Sequence, residues 1–335
     1  MIGDVLKVGN GKDYKHLAEG DIPVFGTGGY MLSVNDFLYD GDSVFIGRKG
    51  TINKPFFYSG KFWTVDTLFY THSFNKVIPH FVYGLFQRVN WNNYNEASGV
   101  PSLSKSTIEK IPIAIPSIEE QQKISSLLSL LDQRIETQKK IIEDLKKLKD
   151  AISVRLFTSA TCGKRELSDL ATIVMGQSPS SQCYNTNNEG LPLIQGNLDI
   201  TKGKLTPRIY SSEATKKCQD GDVILTVRAP VGEVAIADFG ACIGRGVCAI
   251  KPFDDTLSVL IYQFLQYFKP KWFSLEQGST FTSVSRDVIM SIKVAIPSIQ
   301  AIETLNILDK KITIEDVILN NLNFQKKILM NQMFI

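Results

Sequence analysis

The chain has 335 residues, 43% of them hydrophobic, which is enough for two domains of ordinary size. Because it contains no run of about 18 apolar residues and no basic-then-apolar leader, the sequence predicts a cytoplasmic location, with neither a membrane span nor secretion. The net charge of +3 does not by itself indicate a nucleic-acid-binding protein, and the five cysteines form no C-x-x-C pair that would indicate a zinc site.

The sequence contains one module twice. A turn and a strand-like run at residues 40–48 end on Arg48, and the corresponding turn and run at 220–228 end on Arg228. Three other pairs of segments match in the same order: 20–26 with 189–196, 103–105 with 284–286, and 113–118 with 294–299. The period is therefore close to 180 residues, which indicates a duplicated domain and not a solenoid repeat.

A long helix with heptad spacing is predicted after each module. Ser117 and Glu120 have the spacing of a capping box at the start of the first helix, whereas Ser298 and Ala301 give only half of one at the second. Spacings of three and four residues define a coiled-coil seam in each helix. The seam residues are Ile124, Leu128, Leu131, Ile135, Gln138, Ile142, Leu145, Lys149, Ile152 and Leu156, and then Leu308, Ile312, Glu315, Leu319, Leu322, Lys326, Leu329 and Met333.

Both seams carry polar residues at equivalent positions, Gln138 with Glu315 and Lys149 with Lys326. In an antiparallel pairing that places Ile142 and Leu145 opposite Leu322 and Leu319, Lys149 faces Glu315 and Gln138 faces Lys326. Because polar seam residues often fix helix register, we expect this antiparallel pairing. The alternative is that each helix packs only on its own domain.

These patterns predict an α+β protein in which two similar globular domains are separated by two long helices that form an antiparallel coiled coil with pseudo-twofold symmetry. The expected boundaries are 1–117 for the first domain, 118–162 for the first helix, 163–298 for the second domain and 299–335 for the second helix. Such an object suits a DNA target with two separated half-sites, and the helices would then set their spacing.

The order of these motifs, present twice, resembles the specificity subunit of type I restriction-modification enzymes over essentially the whole chain. The resemblance implies that the two globular units are target-recognition domains, each reading one half of a bipartite, asymmetric site on double-stranded DNA. It also implies a non-catalytic subunit that docks two adenine-N6 methyltransferase subunits and is joined by restriction-translocase subunits. One departure is that the first module lacks a counterpart of residues 163–166.

The candidate DNA contacts lie in loops that follow strands, where side chains are free to reach base edges or phosphates. In the first domain they are Thr27, Gly28, Arg48, Lys49, Asn53, Lys54, Ser104 and Lys105. In the second domain they are Gln195, Asn197, Arg228, Glu233, Ser285 and Arg286. The two sets differ in chemistry, as two domains that read different half-sites require. A solvated turn explains any one of these residues equally well, and helix capping explains the serines.

No catalytic centre is predicted. Residues 25–28 imitate the glycine-rich turn of methyltransferases, but the second copy lacks it, and neither an Asn/Asp-Pro-Pro-aromatic motif nor a P-loop occurs. We therefore expect no cofactor and no metal, and we assign Trp63, Trp91 and Trp272 to the core. Two alternatives remain: the specificity region of a single-chain restriction and methyltransferase enzyme, and a coiled-coil scaffold that binds only proteins.

Overall fold

The computed structural model of the chain describes residues 1–159, 163–275 and 283–334. The chain divides into two compact units: unit 1 comprises residues 1–140 and 317–335, and unit 2 comprises residues 141–316. Each unit therefore contains one globular domain together with part of each long helix.

Unit 1 is built on one mixed sheet. Its strands are β1 (Lys7–Asn10), β2 (Glu19–Gly26), β3 (Gly29–Val34), β4 (Tyr39–Gly47), β5 (Phe56–Thr64) and β6 (Leu68–His72), and its helices are α1 (Pro79–Arg88), α2 (Lys105–Glu109) and the start of α3 (Ile118–Thr158). The strand order is β1-β6-β4-β5-β2-β3, and only β2 and β5 pair in parallel. Helix α1 begins at a proline, which has no N–H to leave unpaired there.

Unit 2 repeats this plan with more and shorter strands. The strands are β7 (Gly163–Glu166), β8 (Ala171–Met175), β9 (Tyr184–Asn185), β10 (Leu191–Ile194), β11 (Ile200–Thr201), β12 (Lys204–Leu205), β13 (Ile209–Ser211), β14 (Lys217–Cys218), β15 (Val223–Thr226), β16 (Val234–Ile236), β17 (Ala241–Ile243), β18 (Val247–Pro252) and β19 (Lys293–Ile296). The helices that follow α3 in the chain are α4 (Thr256–Phe268), α5 (Arg286–Met290) and α6 (Ile299–Met333), and α6 belongs to unit 2 only up to residue 316.

The two domains differ in how one strand is used. In unit 1, β5 pairs with β4 on one side and with β2 on the other, so a single sheet forms. In unit 2, β16 pairs with β15, and β17 pairs with β10. Two short strands in two separate sheets therefore take the place of β5. In both domains the one parallel pairing lies at this place, between β2 and β5 and between β10 and β17. The predicted α+β class and the duplication are confirmed.

Helices α3 and α6 begin at Ile118 and Ile299, and every predicted seam residue is buried or half-buried. The capping box at the start of α3 is also confirmed, because the Glu120 N–H donates to Ser117 Oγ (3.3 Å) and the Ser117 N–H donates to the Glu120 carboxylate (3.1 Å). Over the described residues, neither of these helices nor any shorter one has an apolar stretch that could cross a lipid bilayer.

The two long helices run antiparallel within each unit, but their register differs from the predicted one. In unit 2, Lys149 Nζ lies 2.6 Å from Asp309 Oδ1, six positions away from the predicted partner Glu315. Glu315 itself pairs with Lys311 at 3.7 Å. In unit 1, Lys326 Nζ lies 2.6 Å from Asp132 Oδ1, and not opposite Gln138.

The physical reason for the difference is that each seam lysine pairs with an aspartate that flanks the opposite seam. Asp132 and Asp309 occupy equivalent positions beside the two seams, so the observed register forms the same ion pair in both units. A lysine stem can lie along the apolar seam while its ammonium group reaches a flanking carboxylate. Lys149 and Lys326 therefore occupy equivalent positions, as the sequence predicted. The prediction of Glu315 and Gln138 as their partners was wrong.

The three tryptophans are core residues, as the sequence predicted. Trp63, Trp91 and Trp272 are 5%, 1% and 1% exposed. Trp91 donates its ring N–H to the carbonyl of Phe86 at 2.8 Å. Trp272 packs closely on Gly232, where a Cβ atom would lie 2.3 Å from the indole ring, so only glycine fits there.

Candidate DNA-binding site

Four chain segments meet at one edge of the second domain. They directly follow β8, β10, β15 and β17, and short backbone hydrogen bonds connect them: Gly244 donates to Ile194, and Val227 donates to the carbonyl of Gly246, at 2.8 and 2.9 Å. A Cβ atom on Gly246 would lie 2.1 Å from the carbonyl oxygen of Gln195. Glycine is therefore required for the loops to approach this closely.

Gln195 is fixed at the centre of this edge. Its backbone N–H donates to Asp199 Oδ2 at 2.8 Å, and its side-chain Nε2 donates to the hydroxyl of Tyr184 at 2.8 Å. Asp199 is 4% exposed and also accepts from Arg208 Nε at 2.9 Å. The loop that carries Gln195 is thus held by a buried carboxylate, and apart from Tyr184 the side-chain amide has no hydrogen-bond partner among the described residues.

These loops surround an open cavity of about 440 Å³. Its lining consists of Ser178, Tyr184, Gln195, Gly196, Asn197, Arg228, Ala229, Arg245 and Gly246. Arg228 and Arg245 are both exposed, and neither guanidinium group has a carboxylate partner among the residues that the structure describes. A concave surface with two unpaired guanidinium groups and two amides can bind phosphate oxygens and the acceptor groups of base edges.

The structure places the predicted residues of the second domain in two groups. Gln195, Asn197 and Arg228 line the cavity together. Glu233 is outside it, and its carboxylate forms an ion pair with Lys269 at 2.6 Å. Ser285 caps α5 by accepting from the N–H of Val288, and Arg286 is the first residue of that helix and is exposed.

In the first domain, Arg48 follows β4, and its guanidinium group donates to the carbonyl oxygen of Asp66 at 3.4 Å and lies 5.9 Å above the ring of Phe69. Lys49 is exposed, and its backbone forms an isolated antiparallel β-bridge with that of Ser102. The other predicted residues of this region are Asn53 and Lys54, which are exposed, and Thr27 and Gly28, which form the turn between β2 and β3.

Ser104 and Lys105 mark the start of α2. The Ser104 hydroxyl accepts from the N–H of Thr107, as an N-cap does, and donates to the carboxylate of Glu96 at 2.8 Å. Hydrogen bonds from Thr107 first, and then from Ser104, lower the pKa of Glu96. Lys105 Nζ lies 3.6 Å from Glu109 Oε1, one helical turn along α2. Both serines therefore cap helices, which was the alternative reading of their sequence positions.

Three polar residues of the cavity, Ser178, Tyr184 and Arg245, were not predicted from the sequence. Arg245 stands between Gly244 and Gly246 in a turn where the Val247 N–H donates to the carbonyl of Gly244. The equivalent turn of the first domain, where Leu68 donates to Val65, carries Asp66 at this place. Because this position is acidic in one copy and basic in the other, the sequence repeat does not indicate it.

Within the described residues, no group of three histidine, cysteine, aspartate or glutamate side chains is placed to hold a metal ion. Burial raises the pKa of the Cys218 thiol to about 11 and that of Cys248 to about 12. Both thiols are therefore protonated at neutral pH.

The chain is similar to proteins of known type. It is 29% identical over 326 residues to the putative type I restriction enzyme MjaX specificity subunit of Methanocaldococcus jannaschii, covering 89% of this chain and 74% of the relative. It is 22% identical over 351 residues to the MjaVIII specificity subunit of the same organism, covering 90% and 78%.

Two solved structures share its fold. The type I restriction-modification S subunit from M. genitalium superposes with a TM-score of 0.71 at 17% identity, covering 100% of this chain and 95% of the other. A chain from a study of complex assembly and conformational transition of the type I R-M system superposes with a TM-score of 0.63 at 20% identity, covering 99% and 96%.

The type I restriction modification DNA specificity domain matches residues 1–147 and again residues 161–323, which agrees with the duplication seen in both the sequence and the fold. The chain therefore belongs to the family of type I restriction modification DNA specificity domains and carries that domain twice.

Proposed function

We propose that this chain is the non-catalytic DNA-specificity subunit of a cytoplasmic type I restriction-modification complex and that it reads a bipartite, asymmetric DNA site. Residues 1–117 and 163–298 are the two target-recognition domains in this proposal, and 118–162 and 299–335 are the spacer helices. The observation that carries it is the cavity of the second domain, where Arg228 and Arg245 have no described acidic partner. The first domain carries different chemistry at the equivalent loops, with Asp66 in place of Arg245.

Recruitment of methyltransferase subunits is supported by exposed apolar residues on the long helices. Several large apolar side chains on α3 and α6 are exposed and are not among the predicted seam residues. They are Leu127, Leu130, Ile141, Leu148, Ile307, Ile314, Val317, Phe324 and Ile328. Steps of seven recur among them, as in 141–148, 307–314 and 317–324. Such spacing suits the packing of further helices.

We propose that these partners are two adenine-N6 methyltransferase subunits, one for each domain, and that restriction-translocase subunits join them. Adenine methylation should be mapped across the genome of cells that express the chain with the methyltransferase subunit of its own system. The expected result is a split motif with two defined halves and an undefined spacer. Methylation that is the same with and without this chain would contradict the proposal.

The cavity arginines provide a sharper test. Arg228→Ala and Arg245→Ala should each weaken DNA binding by the assembled complex and reduce the slope of log K against log salt by about one, because each guanidinium that contacts a phosphate displaces about one counterion. Glu233→Ala is the control, since Glu233 lies outside the cavity. Binding curves measured at several salt concentrations separate the variants. If both arginine variants have the affinity and the salt slope of the wild-type complex, the cavity is excluded as a DNA contact.

A further inference from the structure

We infer that Gln195 is a base-reading side chain of the second domain and that the base it recognises is adenine. The inference rests on the proposed function, because it assigns a specificity to a cavity that is proposed to contact DNA. It is carried by the orientation of the amide and by the lining of the cavity.

The orientation of the amide is set by a chain of two hydrogen bonds. Gln195 Nε2 donates to the hydroxyl of Tyr184 at 2.8 Å, and that hydroxyl donates to the carbonyl oxygen of Pro179 at 3.2 Å. Because the single hydroxyl proton is used on Pro179, the Tyr184 oxygen can only accept from Gln195. The amide is therefore held with its nitrogen toward Tyr184.

One N–H and the carbonyl oxygen of the Gln195 amide then have no described protein partner. A donor and an acceptor on one amide match adenine in the major groove, which offers N7 as an acceptor and the N6 amino group as a donor. Guanine offers two acceptors there, so the Gln195 carbonyl oxygen would face guanine O6 without a proton between them. The amide therefore favours adenine over guanine.

The other polar side chains of the lining differ from Gln195 in chemistry or in orientation. Arg228 and Arg245 carry only donors, and they suit guanine or phosphate. Asn197 carries the same kind of amide, but no described hydrogen bond orients it as Tyr184 orients Gln195. In the first domain the position that corresponds to Gln195 is Gly26, which follows the strand residue Phe25 as Gln195 follows Ile194. The inferred contact is therefore specific to one half-site.

The test uses the complete complex of chain and methyltransferase, with the motif read by methylation mapping. Gln195→Ala should make one adenine position of one half-site degenerate, with about a tenfold or greater loss of discrimination there, and should leave the other half-site unchanged. Tyr184→Phe removes only the hydroxyl group that orients the amide, so it should relax the same position to a smaller extent. Gln182→Ala removes an exposed glutamine outside the cavity and should leave the whole motif unchanged.

The outcomes are distinguishable. A split wild-type motif that Gln195→Ala leaves intact overturns the inference and keeps the proposed function. A wild-type complex that methylates without a split motif overturns both. Should Gln195→Ala abolish methylation altogether, Tyr184→Phe decides: relaxation at a single adenine supports the inference, and an unchanged motif overturns it.

Discussion

Replacement of Asp309 with alanine is expected to lower the free energy of unfolding by about 2–3 kcal/mol. The Asp309 carboxylate, 27% exposed, accepts from Lys149 Nζ and from Gln263 Nε2, each at 2.6 Å. Gln263 is 1% exposed, and its own Oε1 has no hydrogen-bond partner among the residues that the structure describes, so the contact with Asp309 is the one described hydrogen bond of this amide. The substitution would leave a buried amide and a nearly buried ammonium group without a partner, which costs more than the ion pair itself contributes.

A surface ion pair on α3, the helix that carries Lys149, is the control. Glu143 and Lys147 are 2.6 Å apart, but both side chains are more than 60% exposed. Glu143→Ala should therefore leave the midpoint of urea unfolding unchanged. The double variant Asp309→Ala, Lys149→Met should recover part of the loss, because it removes the unpaired charge and keeps the stem packed. If Asp309→Ala unfolds at the same urea concentration as Glu143→Ala, the contacts of Asp309 with Lys149 and Gln263 do not stabilise unit 2.

Unit 1 contains the equivalent ion pair without the glutamine. Asp132 pairs with Lys326, and the position in α1 that corresponds to Gln263 is Gly84, where a Cβ atom would lie 2.8 Å from the ring of Phe334. Asp132 is 38% exposed, and no described hydrogen bond joins it to a buried amide. Loss of Asp132 should therefore cost less than loss of Asp309. In each unit a tyrosine lies close to this aspartate. Burial first, and then the charge of Asp132, raise the pKa of Tyr83. In the same order, burial and the charge of Asp309 raise the pKa of Tyr262 to about 12.

The sequence was sufficient for the duplication, the caps and the two seams because each of these depends on local spacing. The register between α3 and α6 was not predictable in the same way, since an apolar seam that repeats every seven residues fits several shifts almost equally well. Polar groups decide between those shifts. Asp132 and Asp309 lie beside the seams and not in them, so a comparison restricted to seam residues selected Glu315.

The candidate site was predicted only in part, for a related reason. Gln195, Asn197 and Arg228 follow strands that both copies share, so the repeat drew attention to them. Arg245 enters the cavity from a short turn in which the first copy has Asp66. In the sequence, Glu233 follows the same strand as Arg228. In the structure, its carboxylate pairs with Lys269, which is distant in sequence. Tertiary ion pairs of this kind are not encoded in local patterns.

The observed register also defines how the spacer can be changed. The same seventeen positions separate Asp132 from Lys149 in α3 and Asp309 from Lys326 in α6. Deletion of 135–141 together with 317–323 removes one heptad from each helix, keeps both lysine–aspartate pairs and spares Asp316, which pairs with Lys202 at 2.6 Å. Under the proposed function, this double deletion should shorten the undefined spacer of the methylated motif by about three base pairs, because seven helical residues rise about 10.5 Å.

Deletion from one helix alone gives the matched comparison. Removal of 135–141 without 317–323 leaves the two helices unequal, so that one of the two lysine–aspartate pairs must break. We therefore expect the single deletion to abolish methylation or to lower it severely, while the double deletion retains methylation of a shorter motif with both half-sites unchanged. Methylation mapping reads both results directly. A double-deletion complex that still methylates the wild-type motif with its original spacer would show that the helices do not set the spacing.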